Sequence, residues 1–63
     1  SRETIQAASI IIEDDVFLGM NALVLQGTTI GKGAVIAANA VVSRSIPPGV
    51  VAAGVPAKTI ATL

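Results

Sequence analysis

Neither cysteine, histidine, tryptophan nor tyrosine occurs in the 63 residues, and Phe17 is the only aromatic. Without cysteine there is no disulfide frame and no thiolate metal site, which fits a reducing compartment. Without histidine the chain lacks the one side chain whose ordinary pKa suits it to act as a base near neutral pH. Charge is equally sparse: four basic and four acidic residues balance, and Arg2, Lys32, Arg44 and Lys58 are scattered rather than gathered. Nothing in that distribution points to a nucleic-acid-binding face. Gly, Asn, Asp or Lys breaks every apolar stretch well short of the length that spans a bilayer. Neither nucleic acid nor membrane is therefore expected as a partner, and a cytoplasmic location is the default expectation. The start at Ser1, without a methionine or a signal-peptide pattern, leads to the expectation that this is a processed or excised part of a longer protein.

What is present is aliphatic. Hydrophobic residues make up 52% of the chain, too many for disorder, and Ile, Val, Ala and Leu dominate. A core of stacked aliphatic layers is expected. So short a chain gains from burial against something outside itself.

Written in sixes from Ile12, the sequence shows a repeat. Ile12, Leu18, Val24, Ile30, Ile36 and Val42 fall into one column. Two residues before each stand Ile10, Val16, Ala22, Thr28, Ala34 and Ala40, small or β-branched residues that share a strand face with the first column. Three residues after each aliphatic come Asp15, Asn21, Gly27, Gly33, Asn39 and Ser45, types that tolerate turn or left-handed backbone. A period of six does not match a helix of 3.6 residues per turn, so short strands separated by corners are expected. Three strands per coil make an eighteen-residue turn that stacks Ile12 on Ile30, Leu18 on Ile36 and Val24 on Val42. These columns are read as core without chemistry. Periodicity leaves the hand open, because parallel crossovers are normally right-handed.

Leu18-Gly19-Met20-Asn21-Ala22-Leu23 and Ile30-Gly31-Lys32-Gly33-Ala34-Val35 resemble the repeat of the hexapeptide acetyltransferase family. The tail from Ile46 through Pro47, Pro48 and Gly49 to Pro56-Ala57-Lys58 looks like the segment that closes the β-helix in sugar and serine O-acetyltransferases. The resemblance implies an all-β fold, a left-handed parallel β-helix with three short strands per coil. It divides the single domain 1–63 into an opening segment 1–11, two regular coils over 12–47 and a closing tail over 48–63. It also implies acetyl-CoA as co-substrate, a homotrimer with donor sites between subunits, and transfer of acetyl to a hydroxyl of a sugar or similar small molecule.

By the same resemblance to galactoside and maltose acetyltransferases, Met20 and Ala38 match positions along the pantetheine arm, where Met20 departs from the Ser often found. Ser43, Arg44 and Lys58 match residues near the nucleotide end, where cations suit phosphates. Phe17 matches an aromatic, commonly Trp, that lines the acyl end; it reads equally as a packing residue. Taken alone, Arg44 and Lys58 read as solvated charges, and the tail as a cap of the kind repeat proteins need. The family's base is a His, expected upstream of Ser1, so no catalytic residue is assigned. Glu13, Asp14 and Asp15 are read as corner-formers with solvated charges. No metal site is assigned, and the metal-dependent carbonic-anhydrase branch of the same fold would need several His. The alternative reading is an inactive structural segment for trimerisation or capping.

Overall fold

The computed structural model describes residues 9–63; of the opening segment 1–11, residues 1–8 lie outside that range. Every regular element among the described residues is a strand. In chain order they are β1 (Ile11–Ile12), β2 (Phe17–Leu18), β3 (Leu23–Val24), β4 (Thr29–Ile30), β5 (Val35–Ile36), β6 (Val41–Val42), β7 (Val50–Ala53) and β8 (Lys58–Thr62). Strands of two residues cannot hold themselves together; the fold comes from stacking one coil on the next.

The pairing follows the eighteen-residue register. Ile12 lies opposite Ile30, Leu18 opposite Ile36 and Val24 opposite Val42, all parallel. The three pairs form three faces, one of which continues as β2-β5-β7-β8. Between the first two coils the first N–H of each strand reaches a carbonyl seventeen residues on: Ile11 donates to Thr28, Phe17 to Ala34 and Leu23 to Ala40, at 3.0, 3.0 and 2.9 Å. The chain turns between faces through positive φ at Asp15, Asn21, Gly27, Gly33 and Asn39, all between 61° and 80°. Gly, Asn and Asp are the residues for which that backbone costs least.

Ile30, Ile36 and Val42 are fully buried, and Thr28, Ala34 and Ala40 lie beside them. Thr28 enters this apolar column because its hydroxyl donates to the Leu25 carbonyl at 2.7 Å. Each large aliphatic so buried stabilises the fold by roughly 1.5–3 kcal/mol. The same columns behave differently in the first coil, where Ile10, Ile12 and Leu18 remain 43%, 46% and 39% exposed. Membership of an inward column is not by itself burial: among the described residues no coil lies on the far side of these three.

Ser45 departs from the corner column. Ile46, not residue 48, bridges Ile30, so this coil is two residues short. The positive φ resumes at Gly49, three residues after Ile46. From there β7 runs parallel to β5, with Ala52 opposite Ile36, and β8 turns back antiparallel on β7 through an irregularity at Val51/Ala52. Parallel stacking thus ends in an antiparallel hairpin whose last strand is exposed throughout.

Candidate functional site

One corner is made by Gly19, Met20 and Asn21 in the first coil and by Ala37, Ala38 and Asn39 above them. The Asn39 N–H donates to the Met20 carbonyl at 2.9 Å. A Cβ on Gly19 would stand 2.5 Å from the Ala38 nitrogen, so the two coils meet here backbone to backbone. Met20 and Ala38 therefore share one edge, both exposed, Met20 at 77%. Phe17 is 63% exposed on β2, opposite Val35. It faces away from the core, so it is not an interior packing residue of this chain.

A second group of candidates meets where the tail crosses the end of β6. Val41 grips the tail twice, its N–H donating to the Gly54 carbonyl at 3.0 Å and its carbonyl accepting the Ala57 N–H at 2.8 Å. Ala57 packs against the core cluster, which anchors the tail and turns Lys58 outward beside the residues that follow Val42. Ser43, Arg44, Pro56, Ala57 and Lys58 line the resulting cleft of about 470 Å³. No lining residue is acidic, and two carry positive charge. Three of the five nucleotide-end and arm candidates, Ser43, Arg44 and Lys58, are thus brought into one cleft. Met20 and Ala38 lie on their corner outside its lining. Pro56 and Ala57 escaped the sequence reading as lining residues; their one signal was the Pro-Ala-Lys run itself.

The acidic cluster has a different place. Glu13 Oε1 accepts the Lys32 N–H at 3.0 Å and, with Asp14 and Lys32, lines a shallow cleft of about 350 Å³ at another corner. Its work is to close the corner between coils. Among the described residues no three His, Cys, Asp or Glu side chains are grouped so as to hold a metal ion.

A family model described as the hexapeptide repeat of succinyl-transferase matches residues 9–44, more than half of the chain. The chain belongs to the hexapeptide-repeat family. It is 54% identical over 54 residues to the 2,3,4,5-tetrahydropyridine-2,6-dicarboxylate N-acetyltransferase of Staphylococcus aureus strain JH9, covering 86% of this chain and 23% of that protein. Among solved structures it is similar to a hexapeptide-repeat acetyltransferase from Vibrio cholerae O1 biovar eltor complexed with acetyl coenzyme A. That likeness has a TM-score of 0.88 and 45% identity over 89% of this chain and 31% of the other. A maltose O-acetyltransferase from Clostridium difficile 630 gives 0.87 and 38%, over 89% and 30% of the two chains. A galactoside acetyltransferase in complex with coenzyme A gives 0.83 and 43%, over 84% and 26%. The chain spans less than a third of the length of each of these proteins. The hand left open by periodicity is thereby settled, and the fold of this hexapeptide-repeat chain is a left-handed parallel β-helix.

Proposed function

We propose that this chain is the donor-binding part of an acetyl-CoA-dependent acetyltransferase. The observation that carries the reading is the cleft in which Arg44 and Lys58 face the same space with no acid among the lining residues. A cationic cleft beside a backbone edge suits a long phosphorylated thioester: charge-assisted hydrogen bonds hold the phosphates, while Ala38 lets the arm lie close to the backbone. Solved relatives with acetyl coenzyme A and coenzyme A support the same donor. In the reaction the acceptor attacks the thioester carbonyl, its proton passes to a base, and the coenzyme thiol leaves. This chain's residues bind and orient the donor, with Ser43, Arg44 and Lys58 toward the nucleotide, Met20 and Ala38 along the arm and Phe17 toward the acyl end. The base is a histidine outside the 63 residues. Isolated, they are expected to release no thiol from acetyl-CoA with any hydroxylated or amino acceptor, since nothing here replaces an imidazole. Turnover by the pure peptide would overturn that assignment.

The acceptor in this reading is a hydroxyl of a sugar or similar small molecule, as the likeness to the maltose O-acetyltransferase supports. The higher identity to an N-acetyltransferase favours an amine instead. An acceptor panel of both kinds separates the two. The working assembly is a cytoplasmic homotrimer. Its support is the outward apolar row of Phe17, Val35 and Val51 on one face, with Phe17 largely uncovered in the single chain. Sedimentation of the full-length protein at micromolar concentration should give three copies; a monomer that still binds coenzyme A would remove the between-subunit site.

Arg44→Ala and Lys58→Ala in the full-length protein test the donor reading. Each removes a charge-assisted contact worth about 1.5–3 kcal/mol when well formed, and less while solvent screens it. Affinity for acetyl-CoA should fall several-fold and lose salt sensitivity, with turnover at saturating donor nearly unchanged. Dephospho-coenzyme A, which lacks the 3′-phosphate, is the control. Variants that discriminate against it as strongly as the parent would show that neither residue reads that phosphate. A protein that binds no coenzyme A at all would leave the tail as a structural cap.

A further inference from the structure

The two-residue shortening lies beside the proposed donor cleft, and one hydroxyl organises it. Two residues before each core aliphatic the chain otherwise places an inward residue, as with Thr28, Ala34, Ala40 and Val50, all buried. Two residues before Ile46 stands Arg44, which is exposed. In the shortened coil the ladder runs fifteen residues on, from the Gly31 N–H to the Ile46 carbonyl at 2.8 Å and from the Ala37 N–H to the Ala52 carbonyl at 2.9 Å. By that spacing the Thr29 N–H would reach the Arg44 carbonyl. It donates instead to Ser45 Oγ, at 3.0 Å. The Thr29 carbonyl in turn accepts the Ile46 N–H at 2.8 Å. Thr29 therefore clamps residues 45 and 46 to β4 through one side-chain and one backbone bond. The Arg44 carbonyl is freed from the ladder, and Ser43 and Arg44 form a short link outside it.

We infer that Ser45 is a positioning residue for the donor cleft: its hydroxyl replaces a backbone carbonyl in the ladder and so presents Arg44 to the cleft rather than to the core. This deepens the donor-binding reading and rests on it. The hydroxyl touches no donor atom; it acts through the conformation of the link.

The test is a cycle of Ser45→Ala, Arg44→Ala and the double variant in the full-length protein, reading coenzyme A affinity by calorimetry and the donor KM and kcat separately. Ser45→Ala should weaken coenzyme A binding about three- to tenfold, the span that loss of one hydrogen bond produces, with kcat little changed. Ser45→Thr, which keeps the hydroxyl, should restore affinity. If Ser45 works through Arg44, the double variant binds no more weakly than Arg44→Ala alone. Additive losses, no rescue by Thr, or a Ser45→Ala variant that loses thermal stability while keeping parental affinity would each overturn the inference and leave Arg44 as a donor contact. Parental affinity in Arg44→Ala would overturn the inference together with Arg44's place in the donor reading.

Discussion

Ile36→Asp in the full-length protein is expected to abolish the cooperative unfolding of the β-helix, whereas Lys32→Asp, four residues away, leaves it nearly intact. Ile36 is fully buried, with Leu18 opposite it on one side and Ala52 on the other. A carboxylate there has no cation and no donor to meet it. Burying it unpaired costs several kcal/mol, a large share of the roughly 5–15 kcal/mol that holds a domain together. Lys32 is exposed; only its backbone N–H is engaged, by Glu13 Oε1. Aspartate there keeps that N–H and adds repulsion toward Glu13 and Asp14 in solvent, so the cost should stay below about 1 kcal/mol. Thermal unfolding followed by circular dichroism reads both. Equal melting temperatures would mean that the inward column is wrongly placed.

The register behind that contrast was legible because six is commensurate with the coil. Once Ile12, Leu18 and Val24 are aligned on Ile30, Ile36 and Val42, the alternation of a strand assigns every inward position, and Asp15, Asn21 and Asn39 mark corners that few other residues would adopt at φ near 60°. The shortened coil was not legible for the same reason. Ser45 has the composition of a corner, and only the bridge from Ile46 to Ile30 shows that the chain cuts across before reaching it. Nor does a column show how far each member is covered among the described residues. Ile12 and Ile30 look alike in sequence, yet one is half-exposed and the other sealed.

For the candidate site, sequence spacing carried little and resemblance carried most. Arg44 and Lys58 are well separated along the chain, the first where the repeat breaks and the second beyond it. They share a cleft only because Val41 binds the tail on both sides, at Gly54 and at Ala57. No periodicity encodes that crossing. What the sequence does contain is part of its means: Pro47 and Pro48 fix φ and remove two N–H donors just after the shortened coil, and the small residues Ala52, Ala53 and Gly54 follow on the stretch that leads to Val41. The cleft is thus a consequence of how the β-helix ends, and whatever displaces its ending should displace the cleft.

Gly31 offers the sharpest way to displace it. A Cβ at this position would stand 2.3 Å from the Pro48 nitrogen and 2.7 Å from the Pro47 carbonyl carbon, both backbone atoms. No side chain can rotate aside, and Pro47-Pro48 is itself stiff, so Gly31→Ala must push the third coil away from the second. The Gly31 N–H bond to the Ile46 carbonyl, 2.8 Å long, would be strained with it. Overpacking a well-fitted core costs about 1–3 kcal/mol, and contact of backbone with backbone belongs at or beyond the upper end. Gly33, two residues later, is required for a different reason: its φ is +73°, but a Cβ there would meet nothing within 4 Å. Asn21 and Asn39 occupy the equivalent corners at φ of 61° and 63°, so Gly33→Asn should cost less than the roughly 1–2 kcal/mol that left-handed backbone imposes on an ordinary residue. Gly31→Ala should therefore lower the melting temperature of the full-length protein well below that of Gly33→Asn. It should also weaken coenzyme A binding, because the shifted segment runs between the Ser45 clamp and the strand that leads to Lys58. A Gly31→Ala protein as stable as Gly33→Asn would show that the coils have room to separate. One that is destabilised but binds coenzyme A as tightly as the parent would show that the cleft does not depend on how the third coil is seated.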